Sequence, residues 1–438
     1  MSEEERSLKV LARGAGLVFF GMIFSKLLAY FYRVIVARVG VQEYGVFSLG
    51  LAVFGLFTLL ARFGMHLGLM RYVSYYKTTN DKGKLVGTIV SVLTFTLVLS
   101  LLLSSLGYIF SEQISVYFFH NTDLIMVIKI LMVAVPFTAL STMLFTITTV
   151  FEKVEYEIIS RNFIENIVKL GLTLIFISLG LEVIGAAYAY TIAIFVSFLA
   201  AIFFVTKVLK GYKINFETKG QFKKVFNYSW PLLFSAFMVY VYLWTDTFML
   251  GYFKDLSIVG IYNVALPVAN LLYLFPFGLM TLFIPVITKL YVDKNWSGFK
   301  SVYQTTTKWM ILFNSLVFIF LLFFGKEIIV IFFGLEYIEG YSALVILAIG
   351  YYLSYIVLNS NNILLVCKKT KWVFFNSLVS GLLNVLLNVI LIPKYGLTGA
   401  AIATGLSYSL LSLLVISQTY YLTKIIPFKP RFLFIIVA

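Results

Sequence analysis

The chain has 438 residues, 61% of them hydrophobic and only 12% charged, with one cysteine, two histidines and a formal charge of +15. A soluble domain carries roughly 25% charged and 45–50% apolar residues, so a water-soluble globule is excluded and a polytopic α-helical membrane protein is the direct reading. One thiol makes no intrachain disulfide and no thiolate cluster, and two histidines cannot build a His-rich metal site.

A hydrocarbon core of ~30 Å takes about 20 apolar residues in helix. The opening MSEEERSLKVLARG is acidic, then basic, and no small-residue cleavage site follows the first apolar run, so that run reads as a retained span rather than a signal peptide. Apolar segments lie near 14–36, 43–63, 85–110, 124–150, 158–180 and 183–206. They resume near 228–252, 258–288, 309–325, 340–366, 372–392 and 397–422. Between the two sets stands KVLKGYKINFETKGQFKK, the longest polar and strongly basic passage. The expected organisation is therefore an N-terminal six-helix lobe over 1–206, a cytoplasmic basic linker over 207–224 and a C-terminal six-helix lobe over 225–422. The final residues, 423–438, are expected to begin a thirteenth span cut short.

Lys and Arg fall in alternate loops. On this span assignment 26 of the 34 lie on the side of the N-terminus and linker, five lie opposite, and Lys26, Lys129 and Lys169 lie inside spans. That bias places the N-terminus and linker in the cytoplasm. It also explains the net charge better than a nucleic-acid surface does.

The two halves repeat in letters. Gly185-Ala186-Ala187 matches Gly399-Ala400-Ala401, each at the head of the last helix of its half, and Asn162 and Asn376 stand at the corresponding distance upstream. VQEYGVFSL around Gly45 resembles LSIVGIYNV around Gly260. An even number of spans per half gives a parallel repeat about an axis along the membrane normal, and small residues at the head of a helix permit close approach.

Three stretches resemble a known family. NVLLNVILIPKYGLTGAAIATGLSYSL (384–410) is similar to the C-terminal signature of polysaccharide biosynthesis membrane proteins. RVIVARVGVQEYGVFSL (33–49) resembles that family's first external turn, and NYSWPLLFS (227–235) the start of its seventh helix. These are O-antigen-type flippases of the multidrug/oligosaccharidyl-lipid/polysaccharide exporter superfamily. The resemblance covers essentially the whole chain in order. It implies an all-α fold of two six-helix lobes around a central cavity, alternating access, and a lipid-linked oligosaccharide as cargo.

Several polar side chains fall inside the spans. Lys26 is roughly 18 Å of helix from Arg13 and from Arg38. A midplane lysine costs at least ~2.5–3.5 kcal/mol, so Lys26 is expected either to face a wet cavity, attracting an anion, or to sit in an ion pair. Arg33, seven residues on, shares that face or reaches the outer interface. Arg62 and His66, one turn apart, are either loop charge or a phosphate-receiving rim, to which the planar guanidinium fork is suited. Arg161, Glu165 and Lys169 at i, i+4 and i+8 predict a self-neutralising ladder on one helical face. Lys129 either snorkels or adds to the cavity's positive field. Asp246 is a coupling-ion site or the partner of Lys26 or Arg33 across the lobes. Asn384 and Asn388, one turn apart, bond neighbouring helices or recognise sugar hydroxyls, as do Asn359, Asn361 and Asn362.

The candidate cationic cavity thus comprises Lys26, Arg33, Arg62, Lys129, Arg161 and Lys169. Asp246 and Glu165 are coupling or ion-pair groups, and Asn384 and Asn388 line the path. No P-loop, HExxH or GxSxG pattern occurs, so no catalytic residue, metal or cofactor is expected. The leading expectation is a plasma-membrane flippase for a polyprenyl-(pyro)phosphate-linked oligosaccharide, partnered by membrane lipids, H+ or Na+ as coupling ion, and other glycan-assembly membrane proteins. A multidrug extruder of the same superfamily would want acidic cavity residues for organic cations. An integral glycan polymerase or ligase would need a catalytic constellation.

Overall fold

Lipid offers no partner to a backbone N–H or C=O, so long runs of Leu, Ile, Val and Phe close their hydrogen bonds within a helix. The computed structural model, which describes residues 21, 24–212 and 221–428, follows that rule, with no strand among the described residues. Helix α1 covers residues 24–37. Then come α2 (Val41–Arg62), α3 (Met65–Thr78), α4 (Lys82–Ile109), α5 (Leu124–Val150) and α6 (Val154–Glu157). A π-helical segment, Ile158–Ile164, joins α6 to α7 (Glu165–Ser178), which α8 (Glu182–Val208) follows. The remainder are α9 (Gln221–Phe253), α10 (Leu256–Ala269), α11 (Leu274–Val292), α12 (Trp296–Phe332), α13 (Gly340–Tyr355), α14 (Leu358–Val366) and α15 (Thr370–Thr423).

Nine helical stretches among the described residues are long and apolar enough to cross a bilayer. The twelve expected spans are recovered once three further features are counted: α1, the π-interrupted α7, and a break in α15. Residues 384 and 404 would lie about 30 Å apart in an unbroken helix, yet Asn384 Nδ2 reaches Thr404 Oγ1 at 2.9 Å. The chain therefore turns back at Gly396, where φ 57° and ψ −129° leave the helical region, a conformation that favours glycine. Just beyond, a Cβ on Gly399 would stand 2.4 Å from Leu391 O, so the hairpin closes only around a bare Cα.

The chain forms two compact units, Met1–Tyr240 and Val241–Ala438, and α9 runs through the boundary. In the first, α5 is central and packs on α2, α4 and α8. Ala134, Ala139, Ala186, Ala187, Ala189 and Ala193 are fully buried there, as close helix approach requires. In the second, α13 and α15 pack together, with α10, α12 and α14 against them. The described part of α9 runs from Gln221, inside the expected linker, where the buried Tyr76 hydroxyl donates to Gln221 Oε1 at 2.5 Å. Helix α12 starts at Trp296, well before its apolar core, where Asn295 caps it by accepting from Gly298 N. The start of the expected first span, most of the linker tip (213–220) and residues 429–438 lie outside the described residues.

Candidate functional site

Arg62 is the last residue of α2. The chain turns after it through two left-handed residues, Phe63 (φ 49°) and Gly64 (φ 69°), and a Cβ on Gly64 would lie 2.8 Å from Ser229 O. Arg161 comes from the π-helical segment and Glu165 from the first turn of α7. These three side chains meet in one cavity of about 320 Å³ within the first unit, walled also by Thr58, Ser141, Tyr190 and Tyr240. Arg62 Nε, Thr58 Oγ1 and Ser141 Oγ are buried without a protein partner, so the wall offers donors to a polar guest. Two guanidinium groups against one carboxylate suit an anion, and the planar fork of arginine suits phosphate oxygens.

The expected ladder does not form. Glu157 stands the same four residues from Arg161 on the other side and takes the guanidinium in place of Glu165. Arg161 Nη1 pairs with Glu157 Oε1 at 3.2 Å and stacks over the Phe145 ring at 5.9 Å. Lys169, only 7% exposed, has its Nζ 5.0 Å from the Tyr32 ring and 5.3 Å from the Tyr190 ring. It backs the cavity wall through Tyr190 rather than closing a ladder with Glu165. Lys129 rests over the Tyr108 ring at 5.6 Å, away from the cavity lining. Arg33 is half-buried against the Tyr44 hydroxyl, and Lys26 is exposed on α1; neither lines the cavity. His66 is half-buried, with its Nδ1 unpartnered.

The second unit holds a polar centre of different character. Asp246, 5% exposed, accepts at Oδ1 from Asn388 Nδ2 at 2.7 Å and Asn384 Nδ2 at 3.5 Å, and at Oδ2 from Thr404 Oγ1 at 2.6 Å and the Tyr262 hydroxyl. All four donors are neutral and come from its own unit. The cause is topological. Residues 246 and 262 are equidistant from the turn at Lys254, and 388 and 404 from the turn at Gly396, so each hairpin sets its pair face to face. Lys254 Nζ donates to Pro393 O at 3.0 Å and ties the two turns together. Asn388 Oδ1 is buried and unpartnered. Asn359, by contrast, is helix glue: its Nδ2 donates to Thr307 Oγ1 at 2.7 Å.

Sequence reasoning missed Glu157, Tyr190 and Tyr240 in the first unit, and Tyr262 and Thr404 in the second. The last two were legible in principle from equal spacing about a turn. Glu157 was legible too, four residues before Arg161, whereas Tyr190 and Tyr240 depend on packing that no spacing announces.

The family described as "Polysaccharide biosynthesis protein" matches residues 11–291, and the family "MatE" matches 231–390. The chain is 26% identical over 418 residues to the "Probable low-salt glycan biosynthesis flippase Agl15" of Haloferax volcanii, covering 95% of this chain and 82% of that one. Among solved structures, the lipid II flippase MurJ superposes with a TM-score of 0.76 at 19% identity, covering 94% of this chain and 88% of that one. A multidrug resistance transporter of the MATE family superposes with a TM-score of 0.76 at 14% identity, covering 91% and 94%. These two likenesses establish the fold. The chain belongs to the polysaccharide biosynthesis protein family and has the fold of the multidrug/oligosaccharidyl-lipid/polysaccharide exporters.

Proposed function

We propose that the protein is a flippase that carries a polyprenyl-(pyro)phosphate-linked oligosaccharide from the cytoplasmic to the outer leaflet by alternating access, without catalysing a chemical reaction. The observation that carries this reading is the first-unit cavity, where Arg62 and Arg161 face a single carboxylate, Glu165. The phosphate of the cargo sits between the guanidinium groups, and Glu165 and Tyr190 meet sugar hydroxyls. Lys169 adds positive field from behind the wall, and Lys26, Arg33 and Lys129 guide the headgroup toward it. An organic-cation extruder is disfavoured by the sign of that cavity. The relative named as a glycan biosynthesis flippase supports the cargo class.

Asp246 is the coupling site in this scheme. Its cage of hydroxyls and amides, with Asn388 Oδ1 as a spare oxygen, suits a proton or Na+. The N-terminus and the 207–224 linker are cytoplasmic, the lobes are 1–206 and 225–422, and the setting is the plasma membrane beside other glycan-assembly proteins. The test is reconstitution in proteoliposomes with a fluorescent polyprenyl-pyrophosphate oligosaccharide and an external quencher. Wild type should flip it, and the paired variant Arg62→Ala with Arg161→Ala should not. Failure on several lipid-linked glycans together with export of a cationic dye would hand the reading to the extruder.

A further inference from the structure

Two turns repeat between the units, and neither the cavity nor the Asp246 cage uses them. Between α3 and α4, Asn80 N donates to Lys77 O, Asp81 N to Tyr76 O and Leu85 N to Asp81 O. Between α11 and α12, Lys294 N donates to Tyr291 O, Asn295 N to Leu290 O and Phe299 N to Asn295 O. Asn80 and Lys294 share a left-handed backbone, φ 56° and 53°, and Asp81 and Asn295 each cap the helix that follows. The second pair of turns matches as well. Glu152 N donates to Thr149 O and Lys153 N to Thr148 O, while Lys368 N donates to Leu365 O and Lys369 N to Leu364 O. Glu152 and Lys368 stand at φ 63° and 58°. Asn80 and Lys294, Asp81 and Asn295, Glu152 and Lys368, and Glu155 and Lys371 are therefore counterparts, and these four exchanges make the second unit more positive; Lys82 and Trp296, and Lys84 and Gly298, run the other way, so the surplus is concentrated at the Lys368–Lys371 turn.

At these turns the first unit pairs three of its four lysines, Lys82 being the exception, with its own carboxylates. Lys77 pairs with Glu152 at 3.2 Å, Lys84 with Asp81 at 2.5 Å and Lys153 with Glu155 at 3.7 Å. In the second unit the exposed Lys289, Lys294, Lys300, Lys368, Lys369 and Lys371 form no ion pair among the described residues. Their segments converge, because Ile287, Phe299, Ile363 and Ile425 share one core and the Trp372 ring lies 6.1 Å from that of Tyr421. Trp296 and Tyr421 remain 46% and 67% exposed at its rim.

We propose that this end of the second unit binds the anionic headgroups of phospholipids in the leaflet it faces. The lysines cap membrane-spanning helices and so stand at headgroup depth, where exposed Trp and Tyr also settle. Four to eight basic residues beside a span recruit anionic lipid. The same backbone folds in the first unit with its charges paired, so the surplus is not a requirement of the turn and needs an external counter-charge.

The test is native mass spectrometry of the purified full chain exposed to phosphatidylglycerol or phosphatidylcholine. Wild type should retain phosphatidylglycerol preferentially. Binding should weaken about fivefold per neutralised lysine, equivalent to about 1 kcal/mol each, hence ~25-fold for Lys368→Gln with Lys371→Gln. The reciprocal variant, Glu152→Lys with Glu155→Lys, should gain phosphatidylglycerol at the first-unit turn, which keeps the idea testable if the first variant misfolds. Equal retention of the two lipids, or an unchanged preference in the lysine variant, overturns the proposal. Lysine-dependent binding of polyglutamate without any lipid preference also overturns it, in favour of an acidic protein partner.

Discussion

Asn388 and Asp246 are 142 residues apart in sequence and 2.7 Å apart in space, amide nitrogen to carboxylate oxygen. The contact pins the first arm of the α15 hairpin to α9 and makes the carboxylate the keystone of four donors. Removing it as Asp246→Ala strands the Tyr262 and Thr404 hydroxyls and the Asn388 amide. Each buried polar group left unsatisfied costs about 1–3 kcal/mol, so the variant should lose several kcal/mol. Asp246→Asn keeps an acceptor and should lose less while abolishing ion-dependent transport. Thermal unfolding in detergent, paired with gradient-driven flipping, separates the two effects. An alanine variant that melts with wild type would remove the keystone role.

Arg161 shares its guanidinium between Glu157 and the cavity. Either Arg62→Ala or Arg161→Ala should slow flipping at least ~10-fold, the scale of one charge-assisted hydrogen bond at about 1.5–3 kcal/mol. Glu157→Gln should leave flipping intact or raise apparent affinity, since it releases Arg161 toward the cargo. The pair is partly exposed, so its loss should cost at most about 1 kcal/mol of stability. The quencher assay at graded cargo concentration reads all three variants. A Glu157→Gln protein as slow as Arg161→Ala would mean that the pair itself orients the arginine.

Two glycines should respond in opposite ways. A side chain on Gly399 would drive its Cβ into Leu391 O at 2.4 Å, so Gly399→Val should open the α15 hairpin and abolish folded yield. Gly171 sits inside α7 with nothing within 4 Å of its would-be Cβ. Gly171→Ala should therefore stabilise by about 0.5–1 kcal/mol through helix propensity alone. Fluorescence-detected size exclusion after heating compares them directly.

Asp81 supplies a pH signature. Hydrogen bonds from the Lys84 side chain, and then from its backbone N–H, hold this carboxyl below the usual range. Because the folded-state pKa is lowered, its contribution is fully present above the unfolded carboxyl value and is lost as pH falls through the folded one. The difference in melting temperature between wild type and Asp81→Asn should therefore be largest near neutrality and vanish in acid. A difference that persists unchanged into acid would assign the effect to capping geometry instead of charge.

Much of the architecture was legible because lipid leaves so few options. Apolar runs of the right length, alternating loop charge and the GAA repeats gave the helices and their duplication. The candidate site was legible only in part. Arg62, Arg161 and Glu165 converge on one cavity, yet Arg161 pairs with Glu157, four residues before it, rather than with Glu165, four residues after, and spacing alone does not choose between the two. Asp246 was singled out for being acidic inside a span. Its partners stay hidden in the sequence because a threonine hydroxyl in a helix is usually satisfied by its own backbone, and Tyr262 is one of 29 tyrosines with nothing to single it out. Lys26 drew attention by its depth in the sequence, but depth says nothing of which way a helix is rotated.

The wide turn at Ile158–Ile164 has a bearing on how this chain can diverge. A segment of that kind accommodates extra chain length within a continuous helix. Removing one residue from it would let the segment relax to regular winding while the flanking helices keep their faces, and would re-aim the side chains inside it, carrying the Arg161 guanidinium away from Arg62. The charge of the cavity is thus set by residue count as well as by residue identity. A descendant could keep every polar side chain named above and still lose the anion-facing pair through a single-codon deletion.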